Sequence, residues 1–210
     1  MEFFVSALAI GFSGAIMPGP LLTYTIRRSL SDGPRAGFII TAGHAVLELV
    51  LIGLIFLGFG IVLESVAAQI GISLVGGGIL VFMGIKMIVD AARDRVDVAT
   101  DTDNAKPHGM FLSGILISAA NPYFLLWWAI IGLGYVVQAY DTLGFIGIPV
   151  YYFGHIAADF IWYGLVSVVV GTTRRFIGKT PYRIVIGLLG GVLIYFGGTF
   201  VYDAIVRLTA

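Results

Sequence analysis

Cysteine is absent from all 210 residues, which excludes disulfide frameworks, thiolate metal sites and thiol redox chemistry together and leaves the redox compartment open. Charge is scarce: Asp, Glu, Lys and Arg make up 11% of the chain, against about 25% in an ordinary soluble domain. So few solvated groups cannot cover the surface of a water-soluble globule. An excess of one sign is missing too. Twelve Lys and Arg balance twelve Asp and Glu, so there is no basic field to gather nucleic acid and no acidic tail. No HExxH, Walker A or GxSxG motif occurs, which removes the common hydrolase and nucleotide-site signatures. ATP-driven transport within the chain is not expected, nor is a cofactor.

What the chain holds instead is 59% hydrophobic residues, 29 glycines and a mean hydropathy of +0.99, so lipid is its solvent. A bilayer core about 30 Å thick takes roughly 20 apolar residues per helical span. Six such stretches are legible, at 3–26, 36–63, 67–90, 110–137, 143–172 and 184–206. The first starts without a positive leader and is followed by five more, so it reads as a span and not a cleaved signal. The whole of 1–210 forms one membrane domain, divided into 1–92, a charged linker at 93–109 containing Pro107, and 110–210. Arg27, Arg28 and Arg35 flank the first loop, Lys86, Arg93, Arg95 and Lys106 the third, and Arg174, Arg175, Lys179 and Arg183 the fifth, with Arg207 alone on the other side. The bias of Lys and Arg toward the cytoplasm places these loops inside and both termini outside.

The two halves resemble one another. The segment from Gly77 to Ala91, GGILVFMGIKMIVDA, matches Gly190 to Ala204, GGVLIYFGGTFVYDA; GHAVLEL from Gly43 matches GHIAADF from Gly154. Spans one and four are each interrupted by proline, at Pro18 and Pro20 and at Pro122. Three spans per half is an odd number, so the halves enter the membrane in opposite senses, an inverted repeat of the kind found in secondary transporters. The expected fold is an all-α membrane protein of six transmembrane helices in two inverted three-helix repeats, with helices one and four broken.

The prolines remove backbone donors and are expected to free the carbonyls of Gly14, Ile16 and Ser118. Broken membrane helices present positive half-helix ends to anionic groups, so Ser13, Pro18, Gly19, Pro20, Ser118, Asn121 and Pro122 are the candidate substrate-binding residues, against the alternative of packing kinks. His44 and Glu48, like His155 and Asp159, are four apart and share a helical face inside an apolar span. Ionisable groups at that depth are costly and normally line ion or proton paths. Three readings stay open for the four residues: coupling to protons or substrate, a divalent-cation site of N and O ligands, and a structural pair pinning two helices. Gly77, Gly84, Gly190 and Gly197 are read as close helix packing. Asp90 and Asp203 sit at equivalent positions near span ends, where helix termination, loop pairing and gating all apply. Trp127, Trp128 and Trp162, with Tyr123, Tyr151, Tyr152 and Tyr163, suit interfacial belts or packing, and His108 a solvated loop. A membrane-embedded enzyme could use the same four residues, but nothing names its reaction; a scaffold would leave them without purpose.

With six spans, GAIMPGP in the first and SAANP opening the fourth, nearly the whole chain resembles the LysE/RhtB family of amino-acid exporters. The motifs carrying the likeness are Pro18, Gly19 and Pro20 and Asn121 with Pro122. The resemblance implies an exporter of amino acids or related small metabolites, driven by the proton gradient across a prokaryotic cytoplasmic membrane, with a homodimer as an option. Tyr123 follows Pro122 where many relatives have lysine, and His44 accompanies Glu48 where relatives often carry a lone acid. The wider superfamily includes metal exporters, which keeps divalent-cation export as the alternative.

Overall fold

The computed structural model describes residues 2–59, 61–62, 65–93, 107–173 and 178–209, and all its regular structure is helical. The linker at 93–109 therefore lies almost wholly outside the described residues, as do Arg95, Lys106, Arg174 and Arg175. The helices are α1 (Glu2–Ala15), α2 (Pro20–Asp32), α3 (Arg35–Leu54, extended by a π turn at Ile55–Phe59) and α4 (Val66–Ala92). In the second half come α5 (Pro107–Ala119), α6 (Pro122–Trp127), α7 (Leu133–Leu143), α8 (Gly147–Thr173) and α9 (Lys179–Thr209). A π turn at Trp128–Gly132 joins α6 to α7.

Proline sets both breaks. Helix α1 stops at Ala15; Pro18 follows, and α2 restarts with Pro20 in the first helical position, where its missing N–H costs nothing, behind an extended Gly19. The axis turns by 80° there. In the second half Asn121 takes the cap position and accepts from the Tyr123 amide at 3.1 Å, with Pro122 again first in the helix. The carbonyls expected to be freed are largely recaptured. Gly14 O accepts from the Met17 amide at 3.3 Å and Ser118 O from the Asn121 amide at 3.0 Å, because each helix tightens into a three-residue turn before its break. His108, expected in a loop, lies exposed in the first turn of α5.

By length and composition four helical stretches could cross a membrane, and the bent pair α1–α2 makes a fifth candidate. One of the four, Pro122–Thr173, is 52 residues long and is folded back on itself at Gly144, whose φ of 63° suits glycine. Trp128 and Tyr135 both meet Tyr151 across that hairpin, at ring-centroid distances of 6.4 and 6.2 Å.

Packing between helices follows glycine. Helix α1 lies on α8, α5 on α3, and α4 on α9, with α3 and α8 side by side at the centre. A Cβ on Gly43 would strike the Phe111 carbonyl of α5, and one on Gly154 would come within 2.6 Å of the Phe4 carbonyl of α1. The repeated GH dipeptide thus places two backbones in contact twice. The packing reading of the other four glycines is also met: a Cβ on Gly77 would lie 2.8 Å from Gly197 O, and one on Gly84 2.5 Å from Gly190 O. A buried serine clasp ties the α2–α3 turn to α8: the Ser29 hydroxyl donates to Thr25 O at 2.6 Å and meets Ser167 Oγ at 2.8 Å, which donates to Pro34 O at 2.8 Å.

Candidate functional site

Side by side, α3 and α8 turn their polar faces toward one another. Spacing of four residues puts His44 below Glu48 on α3 and His155 below Asp159 on α8. All four are buried, with exposures of 6%, 1%, 3% and 3%. Glu48 Oε1 is the hub: His155 Nε2 lies 3.0 Å away, His44 Nε2 3.3 Å, and Trp128 Nε1 donates to it at 3.2 Å. Asp159 is looser, with Oδ2 3.7 Å from His155 Nε2 and Oδ1 4.0 Å from His44 Nε2. The two pairs read from the sequence are therefore one knot of two imidazoles and two carboxylates.

The knot is asymmetric. His44 Nδ1 lies 2.8 Å from the Ser118 hydroxyl on α5. Among the described residues the matching nitrogen of His155 has no hydrogen-bond partner, and Gly11 of α1 faces it where a serine hydroxyl would be needed. Glu48 Oε2 and Asp159 Oδ2 are also buried without hydrogen-bond partners among the described residues. A buried carboxylate oxygen left so costs on the order of 1–3 kcal/mol or more. The site can therefore accept donors: protons, an ammonium group or a cation. His44, Glu48 and Asp159 each offer a ligand atom, all within 4.8 Å of one another.

A cavity of about 40 Å³ opens beside the knot, lined by His44, Glu48, Ser118, Asn121, His155 and Asp159. A neighbouring cavity of about 30 Å³ is lined by Pro18, Gly19, Pro20 and Asn121. Each holds a few waters at most, since one water needs roughly 10–15 Å³ on this measure. The two helix breaks meet here: a Cβ on Gly19 would lie 3.7 Å from Asn121 Nδ2. Of the seven candidate binding residues, Pro18, Gly19, Pro20, Ser118 and Asn121 line this pair of cavities. Pro122 is instead packed against Gly76 of α4. Ser13 is turned away; its hydroxyl donates to Ile10 O at 2.6 Å and accepts from Trp127 Nε1 at 3.1 Å.

Of the two roles expected for the aromatic residues, packing is the one four of them take: Trp127, Trp128, Tyr151 and Tyr163 are buried, and all but Tyr151 line the cavity beside the knot. Tyr151 stacks on His155 with ring centroids 5.9 Å apart, and Trp127 lies 4.9 Å from the same ring. A signal for Tyr151 existed, since it precedes His155 by one helical turn. For Trp128, arriving from another helix, none did.

A family model described as LysE type translocator matches residues 12–204. A Bacillus subtilis (strain 168) protein provisionally named amino acid efflux protein YcgF is 24% identical over 208 residues, 99% of this chain and 99% of the relative. The chemotactic transduction protein ChpE of Pseudomonas aeruginosa is 23% identical over 175 residues, 83% of this chain and 85% of the relative. No solved structure matches.

Proposed function

This chain belongs to the LysE type translocator family, whose members are membrane transporters and not enzymes, and we propose that it exports amino acids or related small metabolites across a prokaryotic cytoplasmic membrane in exchange for protons. The observation that carries the reading is the buried knot of His44, Glu48, His155 and Asp159 set against the paired helix breaks. The knot offers Glu48 Oε2 and Asp159 Oδ2 to an ammonium group. The breaks offer Asn121 Nδ2 and the first-turn amides of α2 to a carboxylate. A zwitterion fits between a polar anion and a polar donor set better than a multiply charged solute does.

Coupling follows from competition. A proton on either carboxylate removes the charge that holds the ammonium, so proton and substrate displace one another and exchange across the membrane. Ser118 gives His44 a way to take part: its hydroxyl donates to a neutral Nδ1 and, on rotation, accepts from a protonated one. The two central cavities are too small for an amino acid, so the helices must part around them before it binds.

The six-span inverted repeat is part of the proposal, with both termini outside. It is supported by the paired packing of α1 on α8 and α5 on α3, and by the near-symmetric meeting of α4 with α9 through their glycines. A second reading, export of a divalent cation, is favoured by one observation, the convergence of His44, Glu48 and Asp159 within 4.8 Å.

The test is transport by the reconstituted chain under an imposed pH gradient, with labelled amino acids and divalent cations offered separately. The exporter reading expects amino-acid flux that follows the gradient and is lost in the His44→Ala, His155→Ala double variant. Metal flux without amino-acid flux would replace it with the cation reading.

A further inference from the structure

Two larger cavities flank the central pair, and the repeat relates them. One, of about 230 Å³, lies between α2 and α4 and is lined by Arg27, Met83, Lys86 and Asp90. The other, of about 270 Å³, lies between α6 and α9 and is lined by Leu126, Ile131, Asp203 and Arg207. Asp90 and Asp203 close the matched segments of the two halves. Each aspartate has a basic residue one helical turn away, Lys86 before Asp90 and Arg207 after Asp203, so each cavity presents both signs of charge on one helical face. Among the described residues no ion pair joins Lys86 to Asp90 or Asp203 to Arg207. The Arg207 guanidinium donates instead to Gln69 Oε1 at 3.1 Å.

Glycine contacts fix where these cavities lie. Gly77 opposes Gly197 and Gly84 opposes Gly190, so α4 and α9 run antiparallel and Asp203 is level with Gly71. The 19 residues from that level to Asp90 rise roughly 28 Å at about 1.5 Å per residue, close to the bilayer core of about 30 Å. Leu80 and Leu193, halfway along the pair, line the small central cavity. Pro20 borders both that cavity and the Asp90 cavity, while Tyr123 and Phe200 border both it and the Asp203 cavity. Three chambers thus follow one another from face to face, the outer two roomy and the middle one closed.

We propose that the Lys86–Asp90 and Asp203–Arg207 cavities are the loading and release chambers of one route, each receiving the α-amino acid zwitterion with its carboxylate on the base and its ammonium on the aspartate. The proposal rests on the exporter reading and adds to it two subsites outside the central knot. It also makes Pro20 on one side, and Tyr123 with Phe200 on the other, the partitions that must move in turn.

The lack of cysteine makes the test direct, because an introduced thiol is the only one. In proteoliposomes of the full chain, Met83→Cys and Ile131→Cys are labelled with a membrane-impermeant maleimide applied to one side at a time. Labelling of the two from opposite sides is expected; labelling from the same side overturns the chambers whatever is transported. Flux of each of the twenty labelled amino acids is then measured in both directions. Asp90→Asn should raise KM about tenfold only for substrate offered on the Met83 side, and Asp203→Asn only for substrate on the Ile131 side, with Asp90→Glu recovering part of the loss. Unchanged KM in both asparagine variants, with wild-type flux intact, overturns the subsites. Absence of wild-type amino-acid flux sinks the exporter reading and the zwitterion with it, while opposite-sided labelling would still separate the two cavities.

Discussion

His44 Nδ1 lies 2.8 Å from the Ser118 hydroxyl, a contact for which His155, its counterpart in the other half, has no equivalent among the described residues. The two histidines of a repeated motif are thereby made unequal: one has a partner that accommodates either protonation state, the other does not.

Replacing that partner should expose the difference. Ser118→Ala leaves a buried imidazole nitrogen unpaired, at a cost of about 1–3 kcal/mol, and is expected to slow gradient-driven flux about tenfold or more. Ser118→Thr, which keeps the hydroxyl, should recover much of the rate. Initial rates across a pH series are the measurement; equal rates for wild type and Ser118→Ala would remove Ser118 from the coupling machinery.

Glu48 is the hub, so Glu48→Gln should abolish proton-coupled flux while the chain still inserts and folds. The test pairs a flux assay with the elution profile of detergent-solubilised protein. Trp128→Phe keeps an aromatic ring but loses the 3.2 Å donor to Glu48, and a drop of about tenfold or more is expected, since a hydrogen bond to a charged group is worth about 1.5–3 kcal/mol. A Trp128→Phe variant at full activity would show that this donor is only structural.

The repeated glycines predict stability. Gly43→Ala and Gly154→Ala each push a methyl group into a neighbouring helix backbone, and overpacking of that kind costs about 1–3 kcal/mol. Gly78→Ala, with nothing within 4 Å of its Cβ, is the control. Thermal melting in detergent should fall for the first two and hold for the third; three equal melting temperatures would contradict the close packing of α3 with α5 and of α1 with α8.

Orientation is testable by fusion. A reporter active only in the cytoplasm, attached after Ala210, should be silent, and one inserted in the segment between Arg93 and Pro107 should be active. The reverse pattern would invert the assignment drawn from the Lys and Arg bias.

Much of the site was legible because membrane burial makes polar residues conspicuous. His44, Glu48, His155 and Asp159 stand out in apolar spans, and their spacing of four puts each pair on one face without any tertiary information. The prolines marked both helix breaks for the same local reason. What the breaks do to the backbone was not legible: the Gly14 and Ser118 carbonyls find amides three residues on, a choice made by the geometry of the turn. Nor could Ser13 be told from Ser118. Both are small polar residues ahead of a break, and only the packing of α6 against α1 directs the Ser13 hydroxyl to Trp127 and away from the cavity.

By itself the sequence determined that the chain lives in lipid, where its helices bend, which halves match and which few residues could carry charge through it, because these depend on composition and on periodicities local to one helix. Tertiary structure decided that the two acid–histidine pairs are one knot, that Trp128 bonds to it, that Ser118 distinguishes its two histidines and that Asp90 and Asp203 sit in separate cavities at opposite ends of α4 and α9. The contacts of the knot join residues 74, 80 and 107 positions apart, and the close approach of backbones at glycine sets them.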